Sequence, residues 1–247
     1  MANWNEPRPD RTGFGVSPGL TRDGAVGTTF DAGLRRHMLS IYNYMASGVL
    51  LSGIVALLMF TTGTAQAMYF SPLRWVVALS PLAIVFGMSF GANRMQTGTM
   101  KALFWAFTVL MGMSLSTIFL RYTGASIAVT FAATSAAFAG LSLYGYTTKR
   151  ELSGFGTFLI MGVVGLIVAS VINMFLQSPG LYYAVGFLGV LIFAGLTAYD
   201  TQKLKRIYYS IPGEFAGKAI VLGALELYLD FINMFLFLLR FMGASRN

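Results

Sequence analysis

Cysteine is absent from this chain of 247 residues, and histidine occurs once. The first absence excludes disulfides, thiolate metal sites and a cysteine nucleophile. The second leaves only His37, which precedes the first apolar segment, so a histidine-based catalytic site or proton relay within the apolar segments is excluded. Charge is scarce too: 11% of the residues are charged, against about 25% in an ordinary soluble domain. Acids are scarcest. Beyond residue 37 only Glu151, Asp200, Glu214, Glu226 and Asp230 remain.

What is present instead is apolar sequence, 56% of the chain. Seven segments stand out: Leu39–Thr62, Pro72–Asn93, Lys101–Leu120, Gly124–Tyr146, Gly154–Phe175, Leu181–Gln202 and Ala219–Phe241. About 20 helical residues cross a hydrocarbon core of roughly 30 Å, so an all-α polytopic membrane protein with seven spans is expected over 31–247. The short gaps suit an up-and-down bundle. Residues 1–30 are polar, rich in Gly, Pro and Arg, and lack helical periodicity, which predicts a disordered tail.

The formal charge of +8 would suggest nucleic acid in a soluble protein. Here the bases sit mostly in the gaps between apolar segments, where topology explains them and no nucleic-acid partner is expected. Alternate gaps and the N-terminal flank hold 13 Lys and Arg, among them Arg35, Arg36, Arg94, Lys149, Arg150, Lys203, Lys205, Arg206 and Lys218. The other side holds four: Arg74, Arg121, Arg240 and Arg246. The bias places the N-terminus in the cytoplasm and the C-terminus outside, as an odd number of spans requires. Gly87 with Gly91 and Ala136 with Gly140 are expected to let helices approach closely. Pro81 is expected to kink the second segment.

Two carboxylates four residues apart, Glu226 and Asp230, lie inside the last apolar segment. A charged carboxylate in hydrocarbon costs several kcal/mol, so such residues face a protein interior or a wet cavity. The last segment therefore reads as the buried axis of the bundle. Asp200 stands near the end of the sixth segment, and Ser210-Ile-Pro-Gly213 is a strong turn signal. If the turn centres on Gly213, Asp200 is level with Glu226 and Asp230 lies one turn deeper. If the centre falls two residues later, Asp200 is level with Asp230. Spacing alone does not choose. Two carboxyls in contact in a low dielectric cannot easily both ionise, so such a pair titrates as a unit and, when ionised, attracts a cation such as calcium. Arg94, at the end of the second segment on the same side, is a candidate counter-charge or simply a positive-inside anchor. Asp200 also has Lys203 and Lys205 nearby as helix-end partners.

Catalysis is not expected. Tyr199-Asp200 matches half of an intramembrane aspartyl protease signature, but Asp230 follows Leu227-Tyr-Leu, without the glycine needed for backbone approach to a substrate. No serine, histidine or metal-ligand arrangement replaces it.

Ala198-Tyr-Asp-Thr-Gln-Lys-Leu and Leu227-Tyr-Leu-Asp-Phe-Ile-Asn-Met-Phe resemble the motifs of the Bax inhibitor-1 (transmembrane BAX inhibitor motif) family, in particular its bacterial inner-membrane branch. The resemblance implies a central C-terminal helix surrounded by the other six. It implies that Asp200 and Asp230 form a pH-sensing pair, with transient calcium between them, and that Arg94 latches the pair. It further implies a pH-dependent calcium leak of the inner membrane, with calcium as the permeant ion, protons as regulators and no cofactor. Some bacterial members associate with a membrane-bound AAA protease, so a non-channel partner of such a protease is the alternative, and a proton-coupled cation exchanger a further one. Some relatives carry an acid in the middle of the second helix where this chain has Leu79-Ser-Pro-Leu. Glu226 is then a possible additional carboxylate, which the family pattern does not require.

Overall fold

The computed structural model describes residues 31–246; the tail expected over 1–30 lies outside the described residues. These fold into α1 (Ala32–Thr61), α2 (Thr64–Phe70), α3 (Leu73–Gly91), α4 (Thr97–Leu115), α5 (Ile118–Arg121), α6 (Gly124–Thr147), α7 (Ser153–Leu176), α8 (Pro179–Ser210) and α9 (Ala216–Met242). Seven helices are long and apolar enough to cross a membrane, α4 and α5 forming one span together. The start of α1, the α3–α4 turn, the α6–α7 loop and the α8–α9 turn share one end of the bundle, here called the near end. The short helices α2 and α5 lie at the far end.

Local chemistry sets the breaks. Gly63, at φ 75°, separates α1 from α2 in a conformation that favours glycine. Thr123 and Ser178 cap α6 and α8 by accepting the backbone N–H of Ser126 and Leu181, and Pro179 supplies the first helical residue of α8. Pro81 lies inside α3 and offers no N–H to the Val77 carbonyl. The Ser80 hydroxyl donates to that carbonyl at 3.1 Å instead.

Two helices outrun their apolar segments. α1 begins at Ala32 rather than Leu39, and α8 continues to Ser210 rather than stopping near Gln202. Hydropathy marks the hydrocarbon portion of a helix, whereas the α8 overhang is held by the polar contacts of Lys205 and Arg206 and the α1 overhang by Leu34 and Met38 in the core. His37 is consequently inside α1 and buried, its ring centroid 5.4 Å from that of Tyr208 on α8.

The last helix is the axis. Of its most apolar stretch 61% is buried, the largest share of any span. The helices α1, α4, α6 and α8 pack along it, while α3 packs on α4 and α7 on α8. Tyr228 is fully buried in α9, its ring edge-to-face with Phe107 of α4 at 5.1 Å. Its hydroxyl lies 2.7 Å from Ser52 Oγ of α1. Ser52 also reaches the Gly48 carbonyl at 3.0 Å and the Thr108 carbonyl at 2.6 Å. Its single proton goes to a carbonyl, so Tyr228 is the donor in their contact.

Close helix approach occurs at glycines other than those the sequence singled out. Gly87 and Gly140 face open space, and Ala136 is exposed. A side chain at Gly112 would strike the Ser52 backbone, one at Gly48 the Phe104 and Thr108 side chains, and one at Gly145 the Ala198 carbonyl. Spacing alone marks the exposed pairs and the packed ones alike, and only the opposing helix separates them.

At the far end the chain after α9 is stitched to the α5–α6 junction. Thr123 N–H donates to the Ala244 carbonyl at 3.1 Å, Arg246 N–H to the Arg121 carbonyl at 2.8 Å, and Tyr122 bridges Ser245.

Candidate functional site: an intramembrane carboxyl cluster

The register of α8 on α9 is set by small residues facing large ones. Gly186 meets Phe241, Gly189 meets Phe237, and Leu204 meets Gly223. These pairs are symmetric about Gly213, so of the two registers open to the sequence the molecule adopts the first. Asp200 is level with Glu226, and Asp230 is one turn deeper.

Asp230 sits near the middle of α9, 4% exposed, with Oδ2 buried and lacking a hydrogen-bond partner. Asp200 is the charged neighbour that acts on it most strongly. Asp200 is ten residues from the end of α8, about 15 Å along the helix, and two residues before Gln202, where the apolar segment ends. Its Oδ1 accepts from Lys203 Nζ at 2.9 Å. The same ammonium is 2.9 Å from Glu226 Oε2 on α9. That second contact is one of charge rather than of hydrogen-bond geometry. Lys203 thus bridges two helices, and its Nζ is 5.8 Å from the centroid of the Tyr199 ring. Among the described residues no three His, Cys, Asp or Glu side chains converge as ready metal ligands; the carboxyls are strung along the helices instead.

The structure does not bring Arg94 to the pair. Arg94 is exposed in the turn after α3, and none of the ion pairs among the described residues includes it. The reason is architectural: α3 packs on α4 and not along α9. The cation at the cluster is Lys203, three residues from Asp200 and so on the same helical face.

The rest of the motif around Asp200 docks α8 to its neighbours. Gln202 donates to the Arg150 carbonyl at 2.8 Å and accepts from Leu152 N–H at 2.9 Å, holding the α6–α7 loop by its backbone. Lys205 donates to the Tyr146 carbonyl in the last turn of α6 at 3.0 Å, where a cation suits the helix dipole. Arg206 pairs with Glu151 at 3.1 Å. Thr201 donates to the Thr197 carbonyl at 2.8 Å, so Ser142 of α6 must donate to Thr201 at 2.9 Å, and Tyr42 of α1 to Ser142 at 2.6 Å. This row of hydroxyls has one direction, from α1 through α6 to α8.

A seven-span helical bundle whose most buried helix carries carboxyls opposite a partner carboxyl is a membrane protein built around an ionisable core. A protein-family profile described as "Inhibitor of apoptosis-promoting Bax1" matches residues 34–247. The chain belongs to the Bax inhibitor-1 family. It is 48% identical to an uncharacterised protein of Caulobacter vibrioides over 88% of this chain and 92% of that one. It is 43% identical to the inner membrane protein YbhL of Escherichia coli K12, over 87% and 94%. An uncharacterised membrane protein of Streptococcus pyogenes serotype M6 is 35% identical over 90% and 99%.

Proposed function

We propose that this protein is a proton-regulated calcium leak of the inner membrane, with no catalytic role, its N-terminus in the cytoplasm and its C-terminus outside. The observation that carries the reading is Asp230: a carboxyl at the middle of the central helix, beside Asp200, with one oxygen unpartnered. A structural carboxylate at that depth would have every oxygen satisfied, because an unpaired one is costly in low dielectric. In this reading Asp200 and Asp230 share a proton at rest, and Lys203 offsets one of the two negative charges that remain on the pair and on Glu226. Loss of the shared proton leaves two adjacent anions, a state the site sustains only by drawing a cation in. Uptake of a second proton discharges the pair and removes the attraction.

Calcium entry into proteoliposomes, measured across a range of pH, tests this. The wild-type protein is expected to admit calcium with a rate that varies with pH, and Asp230→Asn and Asp200→Asn to flatten that variation. No entry above protein-free liposomes at any pH, or both variants keeping the wild-type profile, sinks the proposal.

A further inference from the structure

Exposure across the cluster is graded. The Glu226 side chain is 39% exposed and Lys203 31%, whereas Asp200 is 12% exposed, and Asp230 is the most enclosed of the four. Glu226 and the ammonium therefore lie nearer the surface of the protein than either aspartate. The ammonium is 2.9 Å from one oxygen of Glu226 and one of Asp200, between the two helices. One turn deeper along α9, Asp230 Oδ2 is buried and unpartnered.

We infer that Lys203 is a tethered cation occupying the position an inorganic cation takes at this cluster, so that Lys203 is the residue a permeating ion displaces, with Glu226 as its first ligand. The chemistry of lysine suits the role. Its ammonium is a compact point charge on a flexible four-carbon stem, able to touch two carboxylates at once and to leave both. An arginine fork would bind one carboxylate in two places and hold it. A tethered ligand competes at high effective concentration, so Lys203 offsets part of the cluster's charge and holds cation affinity down. Removing the ammonium leaves the Asp200 and Glu226 oxygens, each 2.9 Å from its nitrogen, as a two-carboxylate site for a hard divalent cation, whose affinity rises with the count of ligand charges.

The inference rests on the leak reading for its place in transport but is tested by binding. Purified full-length protein in detergent is titrated with calcium chloride, followed by calorimetry, for the wild type, Lys203→Met, Lys203→Gln and Lys203→Arg, and for Lys203→Met combined with Glu226→Gln. The expected result is tighter calcium binding, by about tenfold or more, in Lys203→Met and Lys203→Gln, given that ligand charge sets affinity. Lys203→Arg should bind calcium no more tightly than the wild type, and the double variant should lose most of the gain. Equal affinity across the set, or loss of binding in folded Lys203→Met, overturns the inference. So does misfolding of both neutral variants while Lys203→Arg folds, since that would assign the ammonium to structure alone. If the binding gain appears but no variant passes calcium into liposomes, the leak reading fails and the site stands. If the wild type leaks with the expected pH response while the affinities are equal, only this inference fails.

Discussion

The helices α7 and α9 invert each other. Of the seven spans α7 is the most apolar and the least buried, with 11% of its most apolar stretch inside the protein; α9 is less apolar, with 61% inside. In water the most hydrophobic helix is expected at the core. In a bilayer the lipid tails accept apolar side chains as readily as the protein does, and what needs shelter is polarity. Phe158, Val164, Ile167, Val168 and Val171 of α7 are exposed to what would be lipid. Glu226, Tyr228, Asp230 and Asn233 are gathered on α9 among its neighbours. Polar residues, not apolar ones, identify the core helix here.

Three experiments would break or sharpen that contrast. The largest effect is expected from Tyr228→Ala on α9. It empties the site of a fully buried ring and strands Ser52 without its donor, costing about 3–5 kcal/mol as buried aromatic truncations do. Tyr228→Phe keeps the ring and should cost only about 1 kcal/mol for the lost hydrogen bond. Unfolding of the purified protein in mixed detergent measures both, and a silent Tyr228→Ala would remove α9 from the core. Next comes Val164→Lys, which places a charge at the centre of the lipid-facing side of α7. Its expected cost is about 2.5–3.5 kcal/mol on the insertion scale, read as a reduced inserted fraction in a membrane-insertion assay. Normal insertion there would mean that this face of α7 is sheltered after all. The smallest effect belongs to Val168→Ala, beside it, expected to stay within about 0.5 kcal/mol because nothing packs closely on it; a loss of several times that would reveal a partner on this face.

The same contrast explains what the sequence could tell. The seven spans were legible because hydrocarbon thickness imposes a run length, and the central place of the last helix because Asp230 needed an interior. The overhangs of α1 and α8, and the short helices α2 and α5, were not, since their residues answer to neighbouring loops and to the far end rather than to a run of apolar residues. Within the cluster, the three-residue spacing of Asp200 and Lys203 could be read from the chain. The reach of Lys203 across to Glu226 depends on the register of two helices, which the turn residues left open and the Gly186, Gly189 and Gly223 contacts decide. Arg94 lies at the same end of the bundle as Asp200, but which helix α3 leans on is a tertiary fact that its sequence does not record.

The row of hydroxyls from Tyr42 through Ser142 and Thr201 ends one residue from Asp200, and its direction has a consequence for that carboxyl. A conducting chain of hydroxyls must be able to pass a proton out at its last member and then turn over. This one terminates on the carbonyl of Thr197, a peptide oxygen that accepts a hydrogen bond but has no proton of its own to hand on. The row ties α1, α6 and α8 together and is electrically a dead end. It ends on a backbone carbonyl rather than on Asp200, so it offers that carboxyl no route for a proton.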